Sequence, residues 1–145
     1  MGAIHEGGCL CGAVRYRVRG TPIVSVACHC SFCQRRLGSA FATFAYFEET
    51  NLDFVGGVTE YEHRSDESRR WLRTQFCTRC GTTVTHKAEG RPGQRAVALG
   101  TLDDPDSVRI DRHVWVRSKR PWVTIPPEVA AFPKGSAAAA APKAS

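Results

Sequence analysis

No apolar stretch in this chain approaches the roughly 18 unbroken residues of a membrane-crossing helix, which argues against a membrane span. The first residues, MGAIHEGGCLCGAV, lack the positive lead and apolar run of a secretory signal. Gly2 follows Met1, but the myristoylation pattern wants Ser or Thr at position 6, where Glu6 stands. There is no glycine-rich phosphate loop, no serine–histidine–acid arrangement that can be inferred, and no long segment of helical period. These absences leave a chain expected in the reducing cytoplasm. Clustered cysteines there signal metal or redox chemistry more often than disulfides.

At 145 residues the chain suits one domain, expected over residues 1–132. An apolar share of 42% with 23% charged residues fits an ordinary globular protein. From Pro133 the sequence runs PKGSAAAAAPKAS, without an apolar side chain larger than Ala, and reads as a disordered tail over 133–145. The formal charge of +6 invites a nucleic-acid reading, but it counts thiols as neutral. Four thiolates on a zinc(II) carry −2 and three carry −1, so two such centres bring +6 to about +3. The remaining excess is scattered, with Arg15, Arg17 and Arg19 the most regular set, and nucleic acid is not an expected partner.

Strand patterning dominates. Val14 to Arg19 alternates apolar and basic residues, as on a strand with one buried face. Further strands are expected over Ile23–Ala27, Phe41–Phe47, Leu52–Val55, Val58–Tyr61, Trp71–Phe76, Thr82–His86, Arg95–Leu99 and Arg112–Val116. Gly56-Gly57 reads as the turn of a hairpin. Only Ser31–Ser39 suits a short helix or turn, so the expected class is all-β with little helix. Trp71, Trp115 and Trp122 are expected to pack in the core or at its edge, and Asp103-Asp104 to form a loop turn.

The seven cysteines fall in three clusters: Cys9-x-Cys11, Cys28-x-Cys30-x-x-Cys33 and Cys77-x-x-Cys80. In a strand, positions i and i+2 share a face, so Cys9 and Cys11 can reach one metal, as can Cys28 and Cys30 with His29 opposite. A Cys-x-x-Cys turn also brings two sulfurs together. Closed structural zinc takes four ligands, and two clusters contribute only pairs. The simplest division is therefore Cys9, Cys11, Cys77 and Cys80 on one zinc, leaving Cys28, Cys30 and Cys33 as three. That trio has two readings: a closed site completed by His29, His63, His86 or His113, or an open site whose fourth position takes water or substrate. A Cys-x-x-Cys redox pair is a further alternative.

GGCLCGAVRYRV, CHCSFCQRRLGSAF and FCTRCGTTV, in that order, resemble the glutathione-dependent formaldehyde-activating (GFA) family, also called centromere-protein-V-like. ALGTLDDP and HVWVRSKRPWVTI look like its C-terminal half, so the resemblance covers roughly Gly7 to Phe132. It implies an all-β, Mss4-like tent of small antiparallel sheets around a structural zinc. The matching ligands are Cys9, Cys11, Cys77 and Cys80, with a second zinc on Cys28, Cys30 and Cys33. The implied activity joins a thiol such as glutathione to a small aldehyde such as formaldehyde, classed as a carbon–sulfur lyase. Arg35 and Arg36, just beyond Cys33, are the candidate substrate contacts, placed to supply charge or hold a carboxylate, with a solvated basic pair as the other reading, while His29 is expected to support or pack against the site. Two other classes remain: a non-catalytic zinc module that binds protein or nucleic acid, and a zinc or redox sensor.

Overall fold

The structure, a computed structural model, describes residues 2–135; positions 136–145 of the expected tail lie outside the described residues. The elements in chain order are β1 (Ile4–Gly8), β2 (Arg15–Arg19), β3 (Val24–Cys28), α1 (Ser31–Leu37), β4 (Ala42–Glu48), β5 (Leu52–Val55), β6 (Val58–Arg64), β7 (Trp71–Cys77), β8 (Thr83–Ala88), β9 (Gln94–Ala98), β10 (Arg112–Val114) and β11 (Ala130–Ala131). Strand dominates and one α-helix is present, which is the expected class. No helix among the described residues is long and apolar enough to cross a membrane. The chain divides into two compact units, one from residues up to Val24 with Ala45–Val108, the other from Ser25–Phe44 with the residues from Arg109 onward.

The first unit contains two antiparallel arrays, β1-β2-β5 and β6-β7-β8-β9. The alternation of β2 has the expected result: Tyr16 and Val18 are buried, and Arg17 and Arg19 face water. Tyr16 donates or accepts a 2.8 Å hydrogen bond with the Thr101 hydroxyl, while Val14, Val18, Phe47, Val84 and Val97 fill the surrounding core. Asp103 takes a two-pronged ion pair from Arg15, and Asp104 caps the turn Pro105–Ser107 through the Asp106 N–H.

The expected hairpin at Gly56-Gly57 does not form. β5 pairs with β2 whereas β6 pairs with β7, so the glycines carry the chain from one array to the other. Gly56 has φ +108°, and a Cβ there would lie 2.3 Å from the Ala13 carbonyl oxygen. A close backbone crossing, rather than a two-residue turn, is what requires glycine at that position.

In the second unit β10 pairs with both β3 and β11, and both pairings are parallel. Parallel neighbours need long crossovers; between β3 and β10 the chain passes through Ala45–Val108 of the first unit before returning. β3 is buried at every position, consistent with its apolar sequence VSVAC. Beyond β11, the N–H groups of Trp115, Val116 and Arg117 donate to the carbonyls of Lys134, Phe132 and Pro133. Trp122 departs from its expected packing and is 75% exposed.

Candidate metal centres

The four-cysteine cluster is built within the first unit from two turns. Cys9-Leu10-Cys11 is not the strand segment its spacing suggested. It follows β1 as a turn closed by the Gly12 N–H on the Cys9 carbonyl, with Gly12 at φ +83°. Cys77, the last residue of β7, opens a matching turn in which the Gly81 N–H meets the Cys77 carbonyl at 2.9 Å, with Gly81 at φ +77°. Backbone amides then point at sulfur. Val14 N–H reaches Cys9 Sγ at 3.2 Å, and Arg79 and Cys80 N–H groups reach Cys77 Sγ at 3.3 and 3.4 Å. Such donors stabilise thiolate over thiol.

The sulfur spacing tests what these residues can hold. Four sulfurs about 2.3 Å from a tetrahedral zinc sit about 3.8 Å from one another. Cys9 and Cys11 sulfurs are 3.7 Å apart, and those of Cys11 and Cys77 are 3.8 Å apart. A disulfide would need about 2 Å, and all seven cysteines are free. The cluster fits a closed thiolate site.

Thr82 was not visible as part of this cluster in the sequence. Its hydroxyl accepts the Leu10 N–H at 3.1 Å and lies 3.2 Å from Cys80 Sγ, linking the two turns. That hydroxyl, followed by its own backbone N–H, holds the Cys80 thiol down to about 5.

Cys28, Cys30 and Cys33 converge within the second unit, where β3 ends and α1 begins. Cys30 is the N-cap of α1 and its sulfur accepts the Cys33 N–H at 3.3 Å, a role usually taken by a hydroxyl or carboxylate. The three sulfurs lie within 4.8 Å of one another, a donor set suited to a soft divalent cation. Among the described residues no histidine, carboxylate or fourth cysteine joins them. Hydrogen bonds from Cys28 and then Cys33 hold Cys30 down to about 3; the same contacts with Cys30 and Cys33, then burial, push Cys28 well up. A cation bound there would displace the protons its thiols still carry.

His29 lies between two of these cysteines but turns elsewhere. It is fully buried, with Nε2 2.9 Å from His113 Nδ1 and its ring 5.0 Å from that of Phe41. Burial, then the nearby charges of His113 and Lys119, pushes its pKa down to about 4, so the imidazole is neutral near pH 7. Gln34, overlooked in the sequence, donates through Nε2 to the His29 carbonyl at 2.7 Å and to the Ser118 carbonyl at 2.9 Å. It ties the cysteine loop to the turn after β10. Arg35 is exposed in the last turn of α1, and Arg36 is half-buried with its guanidinium 5.6 Å from the Phe32 ring centre. The other two candidate histidines are placed in the first unit: His86 Nε2 meets the Tyr46 hydroxyl at 3.0 Å, and His63 lies on β6.

A cleft of about 370 Å³ in the first unit, lined by Ile4, His5, Glu6, Asp103, Asp104 and Ser107, contains no cysteine. Its acids are engaged: Glu6 pairs with Arg17, Asp103 with Arg15, and Asp104 with the Asp106 N–H. The chemistry-bearing residues are the cysteines.

Comparison with known proteins agrees with this chemistry. A solved structure of a Rhodobacter sphaeroides protein is similar at 26% identity with a TM-score of 0.55, covering 72% of this chain and 96% of that one. The family model for the glutathione-dependent formaldehyde-activating enzyme matches residues 4–118, a span that includes all seven cysteines. With that match over most of its length, the chain belongs to the glutathione-dependent formaldehyde-activating enzyme family.

Proposed function

We propose that this protein joins a thiol to a small aldehyde, or reverses that addition, at the three-cysteine centre. The reaction is of the S-(hydroxymethyl)glutathione synthase type, with glutathione and formaldehyde as the pair suggested by the family description. The observation that supports the reading is ligand count: Cys28, Cys30 and Cys33 gather three sulfurs and no fourth protein group among the described residues. Zinc bound there offers its remaining position to a molecule from outside the chain and lowers the pKa of a thiol taken at it. The overall chemistry adds S–H across C=O. A carbon–sulfur bond forms, the carbonyl π pair moves to oxygen, and the proton lost by the thiol ends on that oxygen.

In this reading Cys28, Cys30 and Cys33 serve as ligands of a catalytic zinc, and Cys9, Cys11, Cys77 and Cys80 hold a structural one, two ions per chain. Three thiolates leave a divalent centre net negative, which suits thiol delivery better than hydroxide generation. Arg35 and Arg36 bring positive charge just beyond Cys33, where a developing oxyanion or a substrate carboxylate needs it. His29 keeps a neutral ring turned toward His113, and Gln34 fixes the loop that carries the sulfurs. A nucleic-acid module draws little support from the arginine stripe, because Arg15, Arg17 and Arg19 are paired with Asp103, Glu6 and Asp53.

The test is Cys30→Ser, with zinc content and turnover of thiol plus aldehyde measured on the same sample. The expected result is loss of one of two zinc ions together with turnover. Turnover that survives loss of that ion refutes the reading. Wild-type protein that carries both ions, shows no turnover, and releases zinc under mild oxidant would be a sensor instead.

A further inference from the structure

Cys28, Cys30 and Cys33, joined by no fourth protein group among the described residues, make an incomplete set for zinc, which takes four ligands. They make a complete set for an ion that takes three. Trivalent arsenic is such an ion. It is soft and thiophilic, bonds three atoms in a pyramid, and fills its remaining direction with its own lone pair. The same count separates the two cysteine clusters. At Cys9, Cys11, Cys77 and Cys80 a three-bonded ion would leave one sulfur unused and give up the tetrahedral site that the four complete.

The local backbone adds to the match. Cys28 ends β3, Cys30 caps α1 and Cys33 lies in its first turn, so strand and helix hold the three sulfurs within 4.8 Å of one another. The segment between them is pinned at both ends: the His29 N–H donates to the Val114 carbonyl and the Gln34 N–H to the Cys30 carbonyl, each at 3.0 Å. A frame already held in this way loses little entropy on closing round an ion. Cys28 and Cys33 are buried, and Cys30 is the sulfur-bearing residue left partly open. Charge acts in the same direction. A divalent ion on three thiolates leaves −1 among buried groups, whereas a trivalent ion leaves no charge to be kept from water.

We propose that the three-cysteine centre binds trivalent arsenic, which arrives as neutral arsenious acid, and exchanges its zinc for it while the four-cysteine centre keeps its own. In the exchange three As–O bonds break and three As–S bonds form. Each hydroxide leaves as water, taking its proton from a thiol in the metal-free centre, or from solvent when zinc departs as the divalent ion. Arsenic stays trivalent, and nothing is oxidised or reduced. The proposal does not depend on the centre being catalytic; where a thiol and an aldehyde do react there, arsenite is an inhibitor that occupies all three ligands.

The experiment titrates protein reconstituted with two zinc ions with sodium arsenite, in the absence of added thiol. It reads zinc released to a chromogenic chelator, intact mass under native conditions, and the sulfur neighbours of arsenic by X-ray absorption. One zinc is expected to leave for each arsenic bound, the other to stay, and arsenic to have three sulfur neighbours. Cys30→Ser should bind arsenite about a hundredfold or more weakly, because the third attachment is an intramolecular step, and should show two sulfurs and one oxygen. Cys80→Ser should keep the arsenic affinity of the wild type. Release of both zinc ions together, no uptake of arsenic in large excess, or a two-sulfur, one-oxygen site in the wild type overturns the proposal, as does undiminished affinity in Cys30→Ser. If Cys30→Ser does not fold, the zinc count and sulfur neighbours of the wild type decide. Turnover is not read, so failure here leaves the thiol–aldehyde reading standing, and failure of that reading leaves this one.

Discussion

Removing one ligand from each cysteine cluster should cost different amounts of stability, and the difference follows from chain length. Cys80→Ser and Cys30→Ser form a matched pair, because both thiols are half-buried and neither serine leaves a large cavity. Serine at position 30 also keeps an N-cap oxygen for α1. A metal in the four-cysteine centre ties Cys11 to Cys77, 66 positions apart in sequence. The same metal in the trio ties residues 28 and 33, five positions apart and already joined by a helix cap. Cross-links limit the unfolded chain by an entropy that grows as three-halves RT times the logarithm of loop length, a gap of about 2 kcal/mol in favour of the longer tie.

For a chain of this size each kcal/mol moves the midpoint by about 2–5 °C, so Cys80→Ser should melt about 4–10 °C below Cys30→Ser. The assay is differential scanning calorimetry on zinc-loaded proteins of measured metal content. Strong chelator added to wild type should reproduce the larger loss. Equal midpoints, or a lower midpoint for Cys30→Ser, would refute the division into a centre that holds the fold and a centre that serves chemistry.

Two further outcomes follow from single side chains. Thr82→Val removes the hydroxyl shared by Leu10 N–H and Cys80 Sγ, and should weaken zinc at the four-cysteine centre about tenfold or more in chelator competition, leaving the other centre untouched. Burial pushes the Tyr16 phenol up to about 12, against about 10 in an unfolded chain. The folded protein therefore keeps a proton that the unfolded chain releases, so the Tyr16 contribution is complete below pH 10. It is lost as pH rises toward 12, by about 2–3 kcal/mol. Urea melts across that window should show a shallower decline in Tyr16→Phe, and an unchanged slope would contradict the assignment.

The cysteine sets were legible because their spacing is local: a Cys-x-x-Cys turn brings its sulfurs together whatever the rest of the chain does. The buried face of β2 was legible for the same reason, since alternation encodes it residue by residue. Most of what failed involved partners distant in sequence; the turn at Cys9, closed by Gly12 three residues on, is the local exception. Gly56-Gly57 looks like a hairpin until the Ala13 carbonyl is seen crossing Gly56. Cys9-x-Cys11 looks like a strand until Gly12 closes it into a turn. Gln34 and Thr82 act through carbonyls, amides and a thiol, with Ser118 lying 84 positions from Gln34 and Leu10 lying 72 from Thr82, so no motif encloses either pair. β11 is two alanines paired through backbone alone, which leaves no side-chain pattern to read.

The positive charge of the chain, ambiguous in the sequence, resolves by location. Arg15, Arg17 and Arg19 form ion pairs with Asp103, Glu6 and Asp53, and Lys87 and Arg95 approach Glu49. Partly exposed pairs of this kind contribute little stability, but they engage the Arg15, Arg17 and Arg19 charges that a phosphate backbone would need. Arg36 differs from them in having no acceptor on two buried nitrogens, Nε and Nη1, and it lies one helical turn from Cys33. A net charge of +6 therefore says little about partners.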